Sequence, residues 1–475
     1  MTPEDRELSL SPEDYSLLTD LYQLTMATCY VGEKIDQRQA SFELFARKLP
    51  TGFGYLIAMG LAQALDYLGK FRFSLGQIDA LKSTGIFANA SNKFWSLLAE
   101  AKFTGDVWAV PEGTAIFPNQ PLLRIEAPLW QAQLVETYLL NTINYQTLIA
   151  TKAARMRDIA GNDTKLLEFG TRRAFSPQAS IWAARAALAG GMDATSNVLA
   201  ALKLGRKPAG TMAHALVMAI SAVEGSEEDA FNAFQRYFPT APLLIDTYDT
   251  LAATRLLAQR VKEGEMQLSG VRLDSGDLVK LSQEVRSLLP EVTIFASGDI
   301  DEWEIARLQR ENACIDGYGI GTKLVTGVPV NGVYKLVEID GIPVMKNATG
   351  KVSYPGKKQI YRYQENGQLK QDYLGLMDED VSNQTEPQTD SFIKLMTQVV
   401  QNGEILQKSE NLEAIAKRTA ISVASLPPEV RSLENPILPP MKISHKLQEL
   451  TQKTQRINIA GNREQGTGNS WKNIS

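Results

Sequence analysis

The stretch Lys165-Leu166-Leu167-Glu168-Phe169-Gly170-Thr171-Arg172-Arg173 decides how this chain reads. A short, largely apolar run stops at a glycine, turns polar and cationic, and hands over to Ser176-Pro177. Serine as cap and proline in the first turn open a helix, here through Ala187. The unit then recurs. Residues 242–245 end in Asp246-Thr247-Tyr248-Asp249 before a helix through Val261. Residues 268–273 end in Asp274-Ser275-Gly276-Asp277 before a helix to Leu289. Residues 292–296 end in Ser297-Gly298-Asp299 before a helix capped by Asp301, and Cys314-Ile315 leads into Gly317-Tyr318-Gly319-Ile320-Gly321-Thr322. Short apolar runs, each followed by a polar cluster and a helix, are what parallel strands buried on both faces produce. The pattern predicts an α/β fold, a (β/α) barrel with its polar clusters gathered at the carboxyl ends of the strands. A doubly wound open sheet shares the rhythm. The barrel is preferred because every strand end is chemically equipped, not only those beside one switch point.

Outward from this core, residues 128–160 read as helical, stopped by Gly161. Asp14 or Ser16 is placed to cap a helix through Leu17, Leu21, Leu24 and Met26, and residues 40–47 alternate as a strand does. Beyond Lys323 come hairpin signals at Asp340-Gly341 and Asn366-Gly367. The expected organisation is a mixed α/β sandwich domain over 1–130, the barrel over 131–330, strands returning to the sandwich over 331–400, a helical segment over 401–455, and a disordered tail over 456–475.

The chain has 475 residues, 44% hydrophobic and 22% charged, with net charge -5. It can bury a large core, and it lacks the basic stripe that nucleic acid requires. Cys29 and Cys314 are too few for a disulfide framework, so a reducing cytoplasm is expected. The polar, acidic start does not resemble a signal peptide, and no run of about 18 apolar residues is present to span a membrane.

Only two histidines occur, His214 and His445. Gly210-Thr211-Met212-Ala213-His214 follows a turn-like run and precedes the apolar residues 215–220. Such sparing use of imidazole fits a nucleophile or proton carrier, and equally a core histidine bonded to a carbonyl. Asp246 or Asp249 is placed to orient it. Arg272 beside Asp274 and Asp277 suits a substrate carboxylate or phosphate, with an aspartate for ribose hydroxyls or a divalent metal. A helix cap beside an incidental arginine explains the same residues. Gly317 to Thr322 suits a phosphate cradle, as it suits a tight strand-to-helix turn. Two histidines cannot build a histidine-rich metal site, and no metal ligand is assigned.

Taken together, Leu18-Thr19-Asp20-Leu21-Tyr22-Gln23, Phe42-Glu43-Leu44-Phe45, Glu168 to Arg173, Gly210 to His214, Val271 to Asp277 and Gly319 to Thr322 resemble the nicotinate phosphoribosyltransferase family. They keep the family order over roughly residues 15 to 450. The resemblance implies an irregular type II phosphoribosyltransferase barrel plus a sandwich domain, a cytoplasmic homodimer, and ATP and Mg2+ as cosubstrate and cofactor. It implies that His214 is phosphorylated by ATP, with Asp246 bonded to it. Tyr22, Thr211 and Arg272 would hold nicotinate, Arg272 facing its carboxylate. Arg172, Asp274, Gly298, Asp299, Gly319, Gly321 and Thr322 would surround 5-phosphoribosyl 1-diphosphate. Competing readings are a nicotinamide or quinolinate phosphoribosyltransferase of the same fold, a barrel aldolase or hydrolase using Asp274 and Asp277, and a non-catalytic metabolite-binding regulator.

Overall fold

A computed structural model describes residues 8–348, 351–382, 392–406 and 410–467, the side chains of 347–348, 351–352 and 458–467 excepted. The chain forms two compact units, one of residues 145–329 with 411–423, the other of the remainder.

In the first unit, β1 (Lys165–Glu168), β2 (Ala194–Thr195), β3 (Leu243–Leu244), β4 (Gly270–Leu273), β5 (Thr293–Ser297) and β6 (Gly317–Ile320) make one parallel sheet. Its order is β2-β1-β6-β5-β4-β3. The first strand pairs with the last, and the seam lies between β2 and β3. There Ala209 N–H donates to Thr195 O at 2.9 Å, and the Thr211 hydroxyl donates to Pro242 O. Two residues of chain span at most about 7 Å, so the two sheet edges are neighbours. The sequential strand order and the nearness of the two edges are consistent with the barrel, and they do not suit a doubly wound sheet with two separated edges. Leu166, Leu244, Val271, Leu273, Ile294 and Ala296 are buried along these strands, the larger side chains each worth roughly 1.5–3 kcal/mol by removal from water.

The helices between strands are α1 (Pro177–Ala189), α2 (Val198–Lys203), α3 (His214–Glu224), α4 (Glu227–Tyr237), α5 (Thr250–Lys262), α6 (Leu278–Leu288), α7 (Glu302–Arg310) and α8 (Thr322–Val325). Ser176 caps α1, with Pro177 in the first turn, as its sequence predicts. Asp249, Asp277 and Asp301 accept first-turn N–H groups of α5, α6 and α7. These three strand-end aspartates are caps.

The last strand corrects the sequence reading. It is Gly317–Ile320, not Cys314-Ile315. Gly317 and Gly319 are glycines because a Cβ would lie 2.5 Å from Phe295 Cε1 and 2.4 Å from Phe169 Cε2, respectively. Two aromatic rings fill the space of two missing side chains.

In the second unit, a seven-stranded antiparallel sheet runs in the order 342–343, 332–339, 39–46, 121–128, 106–109, 397–401 and 404–405. The strand Gln39–Ala46 is buried on both faces rather than alternating, and it is paired along both edges. The segment 358–376 does not join this sheet. It forms a hairpin in a separate four-stranded sheet with 392–394 and 441–443. Asn366 and Gly367, at φ +51 and +76, supply the left-handed turn of that hairpin. The first helix begins at Leu21 with Asp20 as its flanking residue, later than Asp14 or Ser16 would place it. Its polarity has a reason: buried Gln23 donates to Glu136 Oε2 at 2.8 Å and accepts from Gln133. At the other end, His445–Thr467 is one helix, so the backbone stays helical past Arg456. A helix already nucleated propagates at little cost through polar residues. Residues 468–475 lie outside the described residues.

Candidate active site

The carboxyl ends of β1, β4, β5 and β6 open into a cavity of about 640 Å3. Arg172, Arg173, Thr211, Arg272, Asp274, Gly298, Asp299, Gly319, Gly321 and Thr322 all line it. Residues spread over 150 positions of sequence thus share one mouth because parallel strands all end on the same side.

His214 stands beside that mouth as the first residue of α3, a helix that no side chain caps. Its Nδ1 lies 3.1 Å from Thr247 Oγ1. Its Nε2 lies 4.0 Å from Asp246 Oδ1 and 3.9 Å from Asp274 Oδ2, too far for direct hydrogen bonds. Asp246 is fixed from its other oxygen: Oδ2 accepts from Asp274 N–H at 2.8 Å and from the Ser275 hydroxyl at 2.7 Å. Asp246 Oδ1 is buried and has no hydrogen-bond partner. Asp274 in turn accepts from the Ser297 hydroxyl through Oδ1. Asp246 therefore faces the imidazole without bonding to it. The nitrogen-orienting group is Thr247, and Asp249 is occupied in capping α5.

Arg272 lies on β4 and is half-buried, and its Nε is enclosed without a hydrogen-bond partner. Burial pulls its pKa down, opposed by the charges of Asp274 and Asp246, while nearby Arg172 adds to the fall. A guanidinium that starts this high stays charged. It is a cation inside a cavity with donor capacity to spare. Arg172 and Arg173 are exposed on the loop after β1. That loop is tied down by Glu168, which is buried and accepts from Gly170 N–H and the Thr195 hydroxyl. Burial raises the Glu168 pKa.

Two backbone features shape the rim. A Cβ on Gly298 (φ +85) would meet Asp274 O at 2.5 Å, so only glycine lets these loops touch. Asp299 sits at φ +24, a conformation that side-chain-bearing residues adopt rarely. Tyr22 belongs to the other unit, on helix Leu21–Gly32, and is exposed. Thr247, Ser275 and Ser297 belong to the strand-end clusters but have no role assigned from sequence, and Glu227, a helix-start glutamate, gives no signal, since such residues are ordinary in turns and caps.

A cationic, carboxylate-rimmed cavity suits a phosphorylated sugar and an anionic acceptor. Residues 17–144 match the nicotinate phosphoribosyltransferase N-terminal domain, 164–373 the nicotinate phosphoribosyltransferase family, and 357–451 the corresponding C-terminal domain. The chain belongs to the nicotinate phosphoribosyltransferase family. It is 41% identical over 431 residues to a nicotinate phosphoribosyltransferase of Mycobacterium tuberculosis, covering 88% of this chain and 89% of the relative. A Bacillus subtilis nicotinate phosphoribosyltransferase is 40% identical, over 80% of this chain and 79% of its own. The crystal structure of human nicotinic acid phosphoribosyltransferase superposes with a TM-score of 0.80 at 30% identity, covering 92% of this chain and 99% of that one. Within the family match, the cavity residues and His214 fall in 164–373, and Tyr22 falls in 17–144. No helix of the described residues is long and apolar enough to cross a membrane.

Proposed function

We propose that this nicotinate phosphoribosyltransferase makes nicotinate mononucleotide and diphosphate from nicotinate and 5-phosphoribosyl 1-diphosphate, coupled to ATP hydrolysis through a phosphohistidine at His214. This is the first step of NAD synthesis from nicotinate. The observation that carries it is Arg272: a half-buried guanidinium with an unpartnered Nε, in the same cavity as the strand-end aspartates.

In the transfer, the pyridine nitrogen attacks the anomeric carbon as its bond to diphosphate breaks. Arg272 takes the nicotinate carboxylate, with Thr211 beside it. A carboxylate on a dry guanidinium makes a strong, geometrically specific pair. Arg172 and the segment Gly319–Thr322 face the phosphates, while Asp274, Gly298 and Asp299 face the ribose. Cationic groups placed in advance stabilise the departing charge without reorganising during the reaction.

For coupling, Nε2 is the nitrogen left free, since Nδ1 is engaged by Thr247. The Nε2 lone pair takes the terminal phosphoryl group of ATP, releasing ADP, and water later removes it as phosphate. The start of α3 favours that negative charge, whereas Asp246 and Asp274 oppose it. Phosphorylation and dephosphorylation therefore switch the charge that these groups feel, and that switch is what couples ATP hydrolysis to the site. Among the described residues no group of three or more metal-binding side chains is present. Mg2+ asks for only one or two carboxylates plus substrate phosphates. Asp274 and Asp299, on the cavity wall, are two oxygen donors of that kind and would hold it. When bound, it supplies charge neutralisation at the diphosphate. A cytoplasmic homodimer completes this reading, supported by family resemblance and by two free cysteines.

The test is to supply nicotinate, nicotinamide and quinolinate in turn with 5-phosphoribosyl 1-diphosphate, with and without ATP, and to follow mononucleotide and ADP. Nicotinate should be preferred and ATP should stimulate. Preference for either other acceptor, or indifference to ATP, would overturn the proposal.

A further inference from the structure

We infer that Lys152 is a positioning residue for phosphoribosyl diphosphate, acting by clamping α8 from behind. The inference rests on the function proposed above.

Lys152 lies on helix Glu136–Ala160, outside the cavity lining. Its ammonium donates to Lys323 O and, at 2.6 Å, to Thr326 O. Tyr145, two turns earlier on the same helix, donates its hydroxyl to Val325 O at 3.0 Å. Positions 145 and 152 share one helix face, so three carbonyls at the end of α8 are held by one rigid surface. Thr322 and Gly321, at the other end of this four-residue turn, line the cavity.

The turn is also wedged from the side. A Cβ on Gly170 would lie 2.2 Å from Val325 Cγ1, so Val325 packs directly on the glycine that precedes Thr171 and Arg172. Displacing α8 displaces both the segment Gly321-Thr322 and the Arg172 loop. Four residues make too short a helix to hold this position alone. Lys152 forms no ion pair with a carboxylate within 4 Å among the described residues. Burial draws its pKa down, opposed by Glu302 and Asp301. Its charge is used against carbonyl dipoles, the negative end of the turn.

The experiment measures separate KM values for phosphoribosyl diphosphate and nicotinate in wild type, Lys152→Met, Lys152→Arg and Tyr145→Phe. Lys152→Met should raise the phosphoribosyl diphosphate KM about tenfold, the scale of a lost charge-assisted hydrogen bond. Its nicotinate KM should change less than about twofold. Lys152→Arg, which retains a cation and donors, should recover most of the loss, and Tyr145→Phe should shift the same KM by less. Equal changes in both KM values, or none, would overturn the positioning role. Should Lys152→Met fail to fold, Tyr145→Phe decides the matter by the same split. A wild-type protein that forms no nicotinate mononucleotide would instead sink the proposed function, and calorimetric titration of the variants with phosphoribosyl diphosphate would then still test the clamp.

Discussion

His214 Nε2 is held 4.0 Å from Asp246 Oδ1 and 3.9 Å from Asp274 Oδ2, flanked by two carboxylates and bonded to neither. The gap is as informative as the neighbours. Thr247 holds the other nitrogen and leaves Nε2 open. The arrangement suits a nitrogen that acquires a substituent and then feels two like charges.

His214→Ala should therefore abolish ATP stimulation while leaving a slow, ATP-independent transfer, because the transfer groups lie on other elements. Nicotinate mononucleotide formation with and without ATP measures it. Retained stimulation would remove His214 from the coupling step.

Thr247→Val isolates the orienting contact. The substitution keeps the shape and removes one hydrogen bond to Nδ1, worth about 1 kcal/mol. Labelling of His214 from γ-labelled ATP should slow by about fivefold, with both substrate KM values near wild type. A change in nicotinate KM instead would assign Thr247 to the acceptor.

Arg272→Ala should weaken nicotinate more than phosphoribosyl diphosphate, by about tenfold or more in KM, since a charge-assisted pair is lost. Equal losses on both substrates would make Arg272 a general scaffold of the cavity.

Glu227 provides a pH dependence. Its Oε1 is buried without a hydrogen-bond partner. Burial first, then the charges of Asp246 and Asp249, push its carboxyl up to about 7 from an ordinary 4.5. Between those values the folded chain holds a proton that the unfolded chain has released, so stability falls as pH rises through the window. Glu227→Gln keeps the neutral shape and removes the titration. The variant should melt higher than wild type near pH 8, with the difference closing towards pH 5. A constant difference across that range would show that the penalty does not come from ionisation.

What was legible in sequence followed from periodicity and capping. Short apolar runs located β1, β3, β4 and β5, and Ser176-Pro177 and Asp301 marked real helix starts. The strand-end aspartates could not be sorted, because a capping carboxylate and a site carboxylate use the same letter: Asp249 and Asp277 turned back onto their helices, Asp246 turned towards His214. The contacts that bring the two sheet edges together were equally hidden. They are made by Ala209 beside a two-residue strand and by Thr211 bonding to Pro242 O, neither of which has a periodic signal.

The glycines of β6 give the sharpest test of packing against phosphate binding. Gly319 lines the cavity, as a cradle residue would, yet its missing side chain is filled by the Phe169 ring. Gly319→Ala would place a methyl 2.4 Å from Phe169 Cε2, and overpacking of a buried strand costs about 1–3 kcal/mol. The variant should melt several degrees lower. Adding Phe169→Leu should recover part of that loss, since the two residues compete for one space and their effects should couple. If the two losses simply add, the ring is not what excludes a side chain, and Gly319 is kept for the approach of its backbone to the substrate.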